Sequence, residues 1–195
     1  RFRDIRRIHK ISIPIFILTG SIGTVLMWLS SYTFAKYTNS PNVVYSIFAL
    51  APTVLFACLI STYKGYYEGL HNMIPTAVSE VVESAGKVVF GIGLAYLCVE
   101  FFMREYCQNG TVLGTFYQTD QMAREAILPF ASAAAVLGIA ISAFIGYLYM
   151  LLKYKIQGDG ITKEEIENSQ PPRKDKELIK MLLSVSLPIG LGAII

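Results

Sequence analysis

Three ionisable residues, Glu80, Glu83 and Lys87, lie in a part of the chain that is otherwise strongly apolar. On a helix, Glu83 and Lys87 share a face in the favoured i, i+4 order, and Glu80 lies about two turns before Lys87 on that face. Charges inside a bilayer are costly, so they usually pair, face a cavity or take part in ion movement. The group could therefore pair internally, exchange H⁺ or Na⁺ at a carboxylate, or place Lys87 near an anionic ligand.

Two main interpretations of this group remain open. In one, Glu83 and Lys87 neutralise each other and lock a helical bundle. In the other, the group lines a wet cavity, and Glu80 is the better ion-coupling candidate because the pattern offers it no near partner. Snorkelling of the charges to the interface is a third alternative. Glu100 and Arg104 repeat the i, i+4 spacing, which there indicates a solvated helix end.

Two further polar residues precede this helix. Lys64 and His71 are candidates for contact with a phosphate head group, although a plain topogenic role is the alternative for Lys64. His9 and His71 are isolated in polar segments. The sequence contains no HExxH motif, no Ser/His/Asp set and no glycine-rich phosphate loop, and its three cysteines form no CxxC pair. We therefore predict no catalytic centre, no enzyme activity, no metal or cofactor and no nucleic-acid partner.

The composition indicates a membrane protein. Only 16% of the residues are charged and 53% are hydrophobic, with a mean hydropathy of +0.48, whereas soluble domains have about a quarter of their residues charged. Apolar runs of membrane-spanning length predict spans at residues 11–35, 43–62, 74–102 and 125–153, and the start of another near residue 177. The predicted fold is an all-α polytopic bundle of four full spans and the start of a fifth.

Lysine and arginine positions predict the orientation. Thirteen of the 17 lie in the amino-terminal segment, in the turn after the second span or in and around the linker after the fourth, all on one side of the membrane. Three lie on the opposite side, and Lys87 lies within a span. By the positive-inside rule, residue 1 and the linker 154–176 are predicted to be cytoplasmic in a multi-pass protein of the cell membrane.

The fourth predicted span carries a stripe of small residues at strict four-residue spacing: Ala134, Gly138, Ser142 and Gly146. In lipid, where packing drives helix association, such a stripe lets another helix approach closely. Between spans, residues 63–72 are predicted to form a hydrophilic turn with backbone freedom at Gly65 and Gly69. Residues 103–124 are predicted to form a polar loop.

Residues 59–87, LISTYKGYYEGLHNMIPTAVSEVVESAGK, resemble the polysaccharide flippase family that includes stage V sporulation protein B-like members. The corresponding family segment reads like S-x-[YVL]-[RK]-G-[YF]-[FY]-[QE]-G-x-x-x-M-x-P-T-A-[VI]-S-[QE]-x-x-E-[QS]. The matching positions are Ser61, Lys64, Gly65, Tyr66, Tyr67, Glu68, Gly69, Met73, Pro75, Thr76, Ala77, Ser79, Glu80 and Glu83.

The resemblance implies a place in the multidrug/oligosaccharidyl-lipid/polysaccharide exporter superfamily, whose members have two six-helix lobes. Residues 1–153 are then spans three to six of the first lobe, 154–176 the cytoplasmic linker, and 177–195 the start of span seven. The remainder of a longer chain is an expected partner, together with the bilayer and a lipid-linked sugar.

The function expected from this resemblance is that of a flippase or exporter of an undecaprenyl-diphosphate-linked oligosaccharide or cell-wall precursor, acting by alternating access in a bacterial plasma membrane. A cation-coupled multidrug or toxin exporter of the same superfamily is the main alternative. A non-transporting membrane scaffold and a membrane enzyme are the alternatives from other classes.

Overall fold

The computed structural model describes residues 2–158, 175–180, 182 and 184. It contains four long helices: α1 (Phe2–Tyr37), α2 (Val43–Gly69), α3 (Ile74–Asn109) and α4 (Asp120–Gln157). A short hairpin of two strands, β1 (Thr111–Val112) and β2 (Thr115–Phe116), joins α3 to α4. All four helices are long and apolar enough to cross a membrane. The predicted all-α polytopic bundle is confirmed, and the chain is a multi-pass membrane protein.

The helices lie in the order α1, α2, α4, α3, and each packs mainly on its neighbours in that order. At the first interface, a Cβ atom added to Gly20 would lie only 3.2 Å from Cys58 Cβ and from Leu55. The Thr24 hydroxyl is shared between the Gly20 carbonyl of its own helix, at 2.9 Å, and the Ala51 carbonyl across the same interface, at 3.2 Å. A small residue and a shared hydroxyl thus hold α1 close to α2, as is usual in lipid.

The outer faces of these helices carry large apolar side chains that the protein itself does not cover. Leu29 of α1 is 70% exposed and Ile92 of α3 is 67% exposed, with many similar residues along both helices. A bilayer covers such a surface, so exposure of this kind is expected for lipid-facing positions.

The predicted turn at residues 63–72 is wrong, because α2 continues to Gly69 and only residues 70–73 form the connection. The rings of Tyr63, Tyr66 and Tyr67 are buried, and their burial stabilises two more helical turns than the polar sequence suggested. The left-handed backbone conformation falls on His71, with φ of 57°, rather than on a glycine.

His71 completes a Schellman cap at the end of α2. The amide of His71 donates to the Glu68 carbonyl at 2.9 Å, and the amide of Asn72 donates to the Tyr67 carbonyl at 3.0 Å. These two bonds satisfy carbonyls that the end of a helix leaves without partners. The chain therefore reverses direction in four residues, which fixes the register between α2 and α3.

The predicted polar loop 103–124 is mostly regular structure. α3 runs on to Asn109, where Gly110 caps it with φ of 70°, and α4 begins at Asp120. In the hairpin between them, Val112 is buried with Ala123 and Ile127, against partly buried aromatic residues of α3. This apolar cluster is the reason that the connection folds back onto the bundle.

The carboxyl end of α4 extends to Gln157, four residues into the predicted linker 154–176. Most of the predicted linker lies outside the described residues, as does most of the predicted fifth span. Residues 175–180 are helical, and Asp175 accepts a 2.5 Å hydrogen bond from Arg7 Nε. This bond lowers the pKa of the Asp175 carboxyl. The division into two lobes stays a prediction.

The alternation of the four helices leads to a labelling prediction. The start of α1, residues 70–73 and the end of α4 lie on one side, and the hairpin lies on the other. In a variant without its native cysteines, Asn72→Cys is expected to react only with reagent admitted to the cytoplasm, and Gln118→Cys only with external reagent. Labelling of both from one side would contradict the topology. Ser169, a third position for such a label, lies outside the described residues.

Candidate functional site

The pair formed by Glu83 and Lys87 lies where three helices meet. Lys87 Nζ is 2.7 Å from Glu83 Oε1, and the two side chains are 43% and 19% exposed, respectively. A Cβ atom added to Gly146 of α4 would lie 3.6 Å from Glu83 Cβ and 3.5 Å from Ile60 Cδ1 of α2. Glu83 is thus the more enclosed partner, held between α2, α3 and α4.

The small-residue stripe of α4 lies against α3 and makes this arrangement sterically feasible. A Cβ atom added to Gly138 would lie 2.5 Å from the backbone nitrogen of Gly91. Ser142 is fully buried and donates to the Glu83 carbonyl. Ala134, at the outer end of the stripe, lines a groove against α3. The stripe and the charged residues, which the sequence presents as separate features, therefore form one contact surface.

Glu80 has a partner, contrary to the prediction that it lacks one. Lys64 Nζ lies 3.3 Å from Glu80 Oε1, joining α2 to α3. The tight turn explains this pairing: Lys64 and Glu80 are at similar distances along the chain from residues 70–73, so antiparallel helices bring them together. Glu80 remains 62% exposed, whereas Lys64 is 19% exposed.

His71, the other residue predicted to contact a head group, has different surroundings from Lys64. His71 is exposed in the turn itself, whereas the ammonium of Lys64 is directed to Glu80. At the far end of α3, Arg104 and Glu100 form an exposed i, i+4 pair at 2.5 Å. That geometry fits the solvated helix end predicted from the sequence.

The depth of the charged residues follows from α3 itself. Residues 88–99 form the longest stretch of α3 without Asp, Glu, Lys or Arg. Those 12 residues span about 18 Å at 1.5 Å per residue, less than the roughly 30 Å of a hydrocarbon core. A membrane-spanning α3 must therefore carry charges inside the bilayer, and the pairing of Glu83 with Lys87 lowers the cost of doing so.

The structure also reveals a cluster that the sequence analysis missed. The prediction that His9 is isolated is wrong: its side chain is buried, with only 3% exposure. Its ring centroid lies 4.5 Å from that of Tyr66, 5.0 Å from Tyr63 and 5.1 Å from Tyr154. The i, i+3 spacing of Tyr63 and Tyr66 was the available signal, since it places both rings on one face of a helix.

The arrangement supplies ion pairs and hydrogen bonds. Among the described residues, no group of His, Cys, Asp and Glu side chains is placed to hold a metal ion. The two pairs in the α2–α3–α4 region are each neutral overall, but they differ in accessibility. Glu80 is mostly exposed, whereas Glu83 is largely enclosed.

Comparison with known proteins identifies two relatives. The chain is 27% identical over 123 residues to Lipid II flippase MurJ of Bacillus subtilis (strain 168), a match that covers 58% of this chain and 22% of that protein. It is 28% identical over 150 residues to Stage V sporulation protein B of the same organism, covering 75% of this chain and 23% of that protein.

The matched segment thus spans less than a quarter of the length of each relative. No family model matches the chain, and no solved structure matches it. The two matches, together with the four membrane-spanning helices, confirm the resemblance inferred from residues 59–87. The chain is related to the polysaccharide and lipid-linked precursor flippases of the multidrug/oligosaccharidyl-lipid/polysaccharide exporter superfamily.

Proposed function

We propose that this chain is part of a transporter that flips a lipid-linked cell-wall precursor across the bacterial cell membrane. The observation that carries the proposal is its similarity to two curated proteins, one of them named a lipid II flippase. The proposed substrate is an undecaprenyl-diphosphate-linked sugar, moved by alternating access. The protein then has only to shield a polar head group from hydrocarbon, so no catalytic group is required.

The two ion pairs are proposed to have different roles in this transport. Glu83 and Lys87 act as a structural lock, because their contact is short and Glu83 is enclosed by three helices. Glu80 and Lys64 act as an exchangeable pair, because their contact is longer and Glu80 is mostly exposed. Exposed charge in a spanning helix faces a polar region rather than lipid. We therefore propose that the face of α3 that carries Glu80 lines the pathway through which the polar head group crosses the membrane.

A flipping assay tests the proposed function directly. The protein at its full natural length is reconstituted into vesicles containing a fluorescent undecaprenyl-diphosphate disaccharide, and exposure of the label to an external quencher is followed. We expect the protein to increase the rate of exposure well above that of empty vesicles. Transport of hydrophobic cations without flipping of this lipid would contradict the proposal and favour a multidrug exporter.

Glu80→Gln tests the ion-coupling role within the same assay. Because the substitution removes an exposed carboxylate that could bind a cation or a proton, we expect the flipping rate to fall at least severalfold and to lose its dependence on an imposed H⁺ or Na⁺ gradient. Glu125→Gln removes an exposed carboxylate near the amino-terminal end of α4. It is the matched control and is expected to behave as the parent.

The outcome of Glu80→Gln must be separated from a folding defect. The variant leaves the half-buried Lys64 without its partner, so membrane levels and thermal stability are measured beside the rate. If stability falls, the double variant Lys64→Met with Glu80→Gln removes the stranded charge and allows the rate to be interpreted. A gradient-dependent rate equal to that of the parent would rule out coupling at Glu80.

A further inference from the structure

A second candidate site lies between α1 and α2, near the amino-terminal end of α1. It is a cavity of about 320 Å³, at the lower end of the roughly 300–1,000 Å³ usual for small-molecule sites. Leu182 lies on one side of it. His9 and Tyr66 line its wall, so the aromatic cluster described above forms part of the cavity.

The imidazole of His9 indicates a ligand in this cavity. The side chain is buried, and neither ring nitrogen makes a hydrogen bond of normal geometry to a described residue; the Thr62 backbone lies near enough to interact with it. A neutral imidazole carries one donor and one acceptor, and the Thr62 backbone can serve only one of them, so a buried nitrogen is left without a partner, which is unfavourable. The ring cannot easily turn away to find a partner, because Tyr63, Tyr66 and Tyr154 enclose it.

Two hydroxyls of the cavity wall already donate their hydrogens to backbone carbonyls. Ser61 Oγ donates to the Ala57 carbonyl at 2.8 Å, and Thr62 Oγ1 donates to the Cys58 carbonyl at 3.1 Å. Their hydroxyl hydrogens are therefore in use, while lone pairs on both oxygens remain available. A ligand hydroxyl, which both donates and accepts, is complementary to these oxygens and to the imidazole.

The charge and shape of the cavity further limit the ligand. Among the described residues that line it there is no Lys, Arg, Asp or Glu, so a phosphate or an ammonium group would lack a counter-charge and would be costly to bury. Most of the wall is apolar, including Ile5, Ile8 and Phe16. Phe16 lies seven residues beyond His9, or about 10 Å along the helix, which leaves length for a hydrocarbon chain.

We propose that this cavity binds an uncharged, hydroxyl-bearing amphiphile, with its hydroxyl on His9 and its hydrocarbon chain alongside Phe16. The site is distinct from the ion pairs of α3 and does not depend on the proposed transport function. Its position near the predicted cytoplasmic end of α1 places the hydroxyl where polar head groups meet the hydrocarbon of a bilayer.

A matched series of three probes tests the chemistry of the ligand. Binding of radiolabelled 1-dodecanol, dodecane and dodecyl phosphate is measured with the full-length protein in lipid nanodiscs, against empty nanodiscs. We expect saturable binding of dodecanol, about tenfold tighter than that of dodecane. One hydrogen bond to the hydroxyl accounts for a difference of about that size. Absence of saturable dodecanol binding would overturn the proposal, as would equal binding of dodecane or tighter binding of dodecyl phosphate.

Three variants test the position of the site. His9→Phe keeps the aromatic packing but removes both nitrogens, so it should abolish the preference for dodecanol over dodecane. His9→Gln retains a donor and an acceptor and should restore part of that preference. Gly65→Leu should abolish binding of both probes, because Gly65 lines the cavity and an added Cβ meets nothing within 4 Å.

Gly93→Leu is the control for the filling variant, since Gly93 on α3 is equally open and lies outside the lining of this cavity. It should bind dodecanol as the parent does. Unchanged dodecanol binding in a folded Gly65→Leu variant would show that the alcohol binds elsewhere. Because the probe series is measured on the parent protein, the proposal can be overturned even if His9→Phe does not fold.

Discussion

Gly138→Leu is expected to abolish folding or membrane accumulation of the protein. A Cβ atom at Gly138 would lie 2.5 Å from the Phe90 carbonyl carbon and 2.6 Å from Gly91 Cα. These are backbone atoms, so no side-chain rotation relieves the clash and α3 must move away from α4. Such a movement would also break the hydrogen bond from Ser142 to the Glu83 carbonyl. The substitution would therefore disturb the surroundings of the Glu83–Lys87 pair as well.

A smaller substitution separates packing from helix propensity. Alanine is favoured over glycine in a helix by about 1 kcal/mol, so propensity alone predicts that Gly138→Ala stabilises the protein. Overpacking costs about 1–3 kcal/mol, and we expect it to prevail at this backbone contact. The control Gly93→Ala, where an added Cβ meets nothing within 4 Å, is expected to be neutral or stabilising.

Membrane levels and thermal melting in detergent measure both effects. We expect the order of stability to be Gly93→Ala, parent, Gly138→Ala, Gly138→Leu, from highest to lowest. A Gly138→Leu variant that accumulates and melts as the parent does would show that the stripe does not hold α4 against α3.

Lys87→Met is expected to destabilise the protein more than Glu83→Gln. Removing Lys87 strands a carboxylate that is 19% exposed, whereas removing Glu83 strands an ammonium that is 43% exposed and has a long flexible stem. We expect Lys87→Met to cost about 1–3 kcal/mol, less than the roughly 3–5 kcal/mol for fully buried pairs, because this pair is partly exposed. The double variant should recover most of the loss, since no charge is then stranded.

The outer pair of α3 provides a control with the same sequence spacing. Arg104 and Glu100 are 75% and 36% exposed, so Arg104→Met should change stability by no more than about 1 kcal/mol. Thermal melting in detergent, compared across the single and double variants, measures the coupling within each pair. Equal effects at the two pairs would contradict the enclosed position of Glu83.

Transport by the double variant distinguishes the two interpretations of this pair. If the pair is a structural lock, Glu83→Gln with Lys87→Met should flip the lipid-linked substrate at nearly the parental rate. A double variant that is stable and abundant but does not flip the lipid would mean that one of these charges handles an ion or the substrate.

The sequence by itself determined the membrane class of this protein, because composition and run length are properties of the chain alone. Four apolar runs sufficed to predict four spans, and the i, i+4 order of Glu83 and Lys87 sufficed to predict that they share a face. The agreement of residues 59–87 with a known pattern also predicted the relationship to flippases. These inferences depend on neighbouring residues, and local spacing determines them.

Contacts between distant residues were decided only by the tertiary structure. The end of α2 was misjudged because the burial of Tyr63, Tyr66 and Tyr67 against other helices outweighs the polar residues between them. The partner of Glu80 was missed because Lys64 meets it only after the chain reverses at residues 70–73. The burial of His9 depends on rings from α2 and α4 that lie more than 50 residues away in sequence. Local propensity carries no information about contacts between distant residues, because these depend on how the helices pack rather than on where each helix begins.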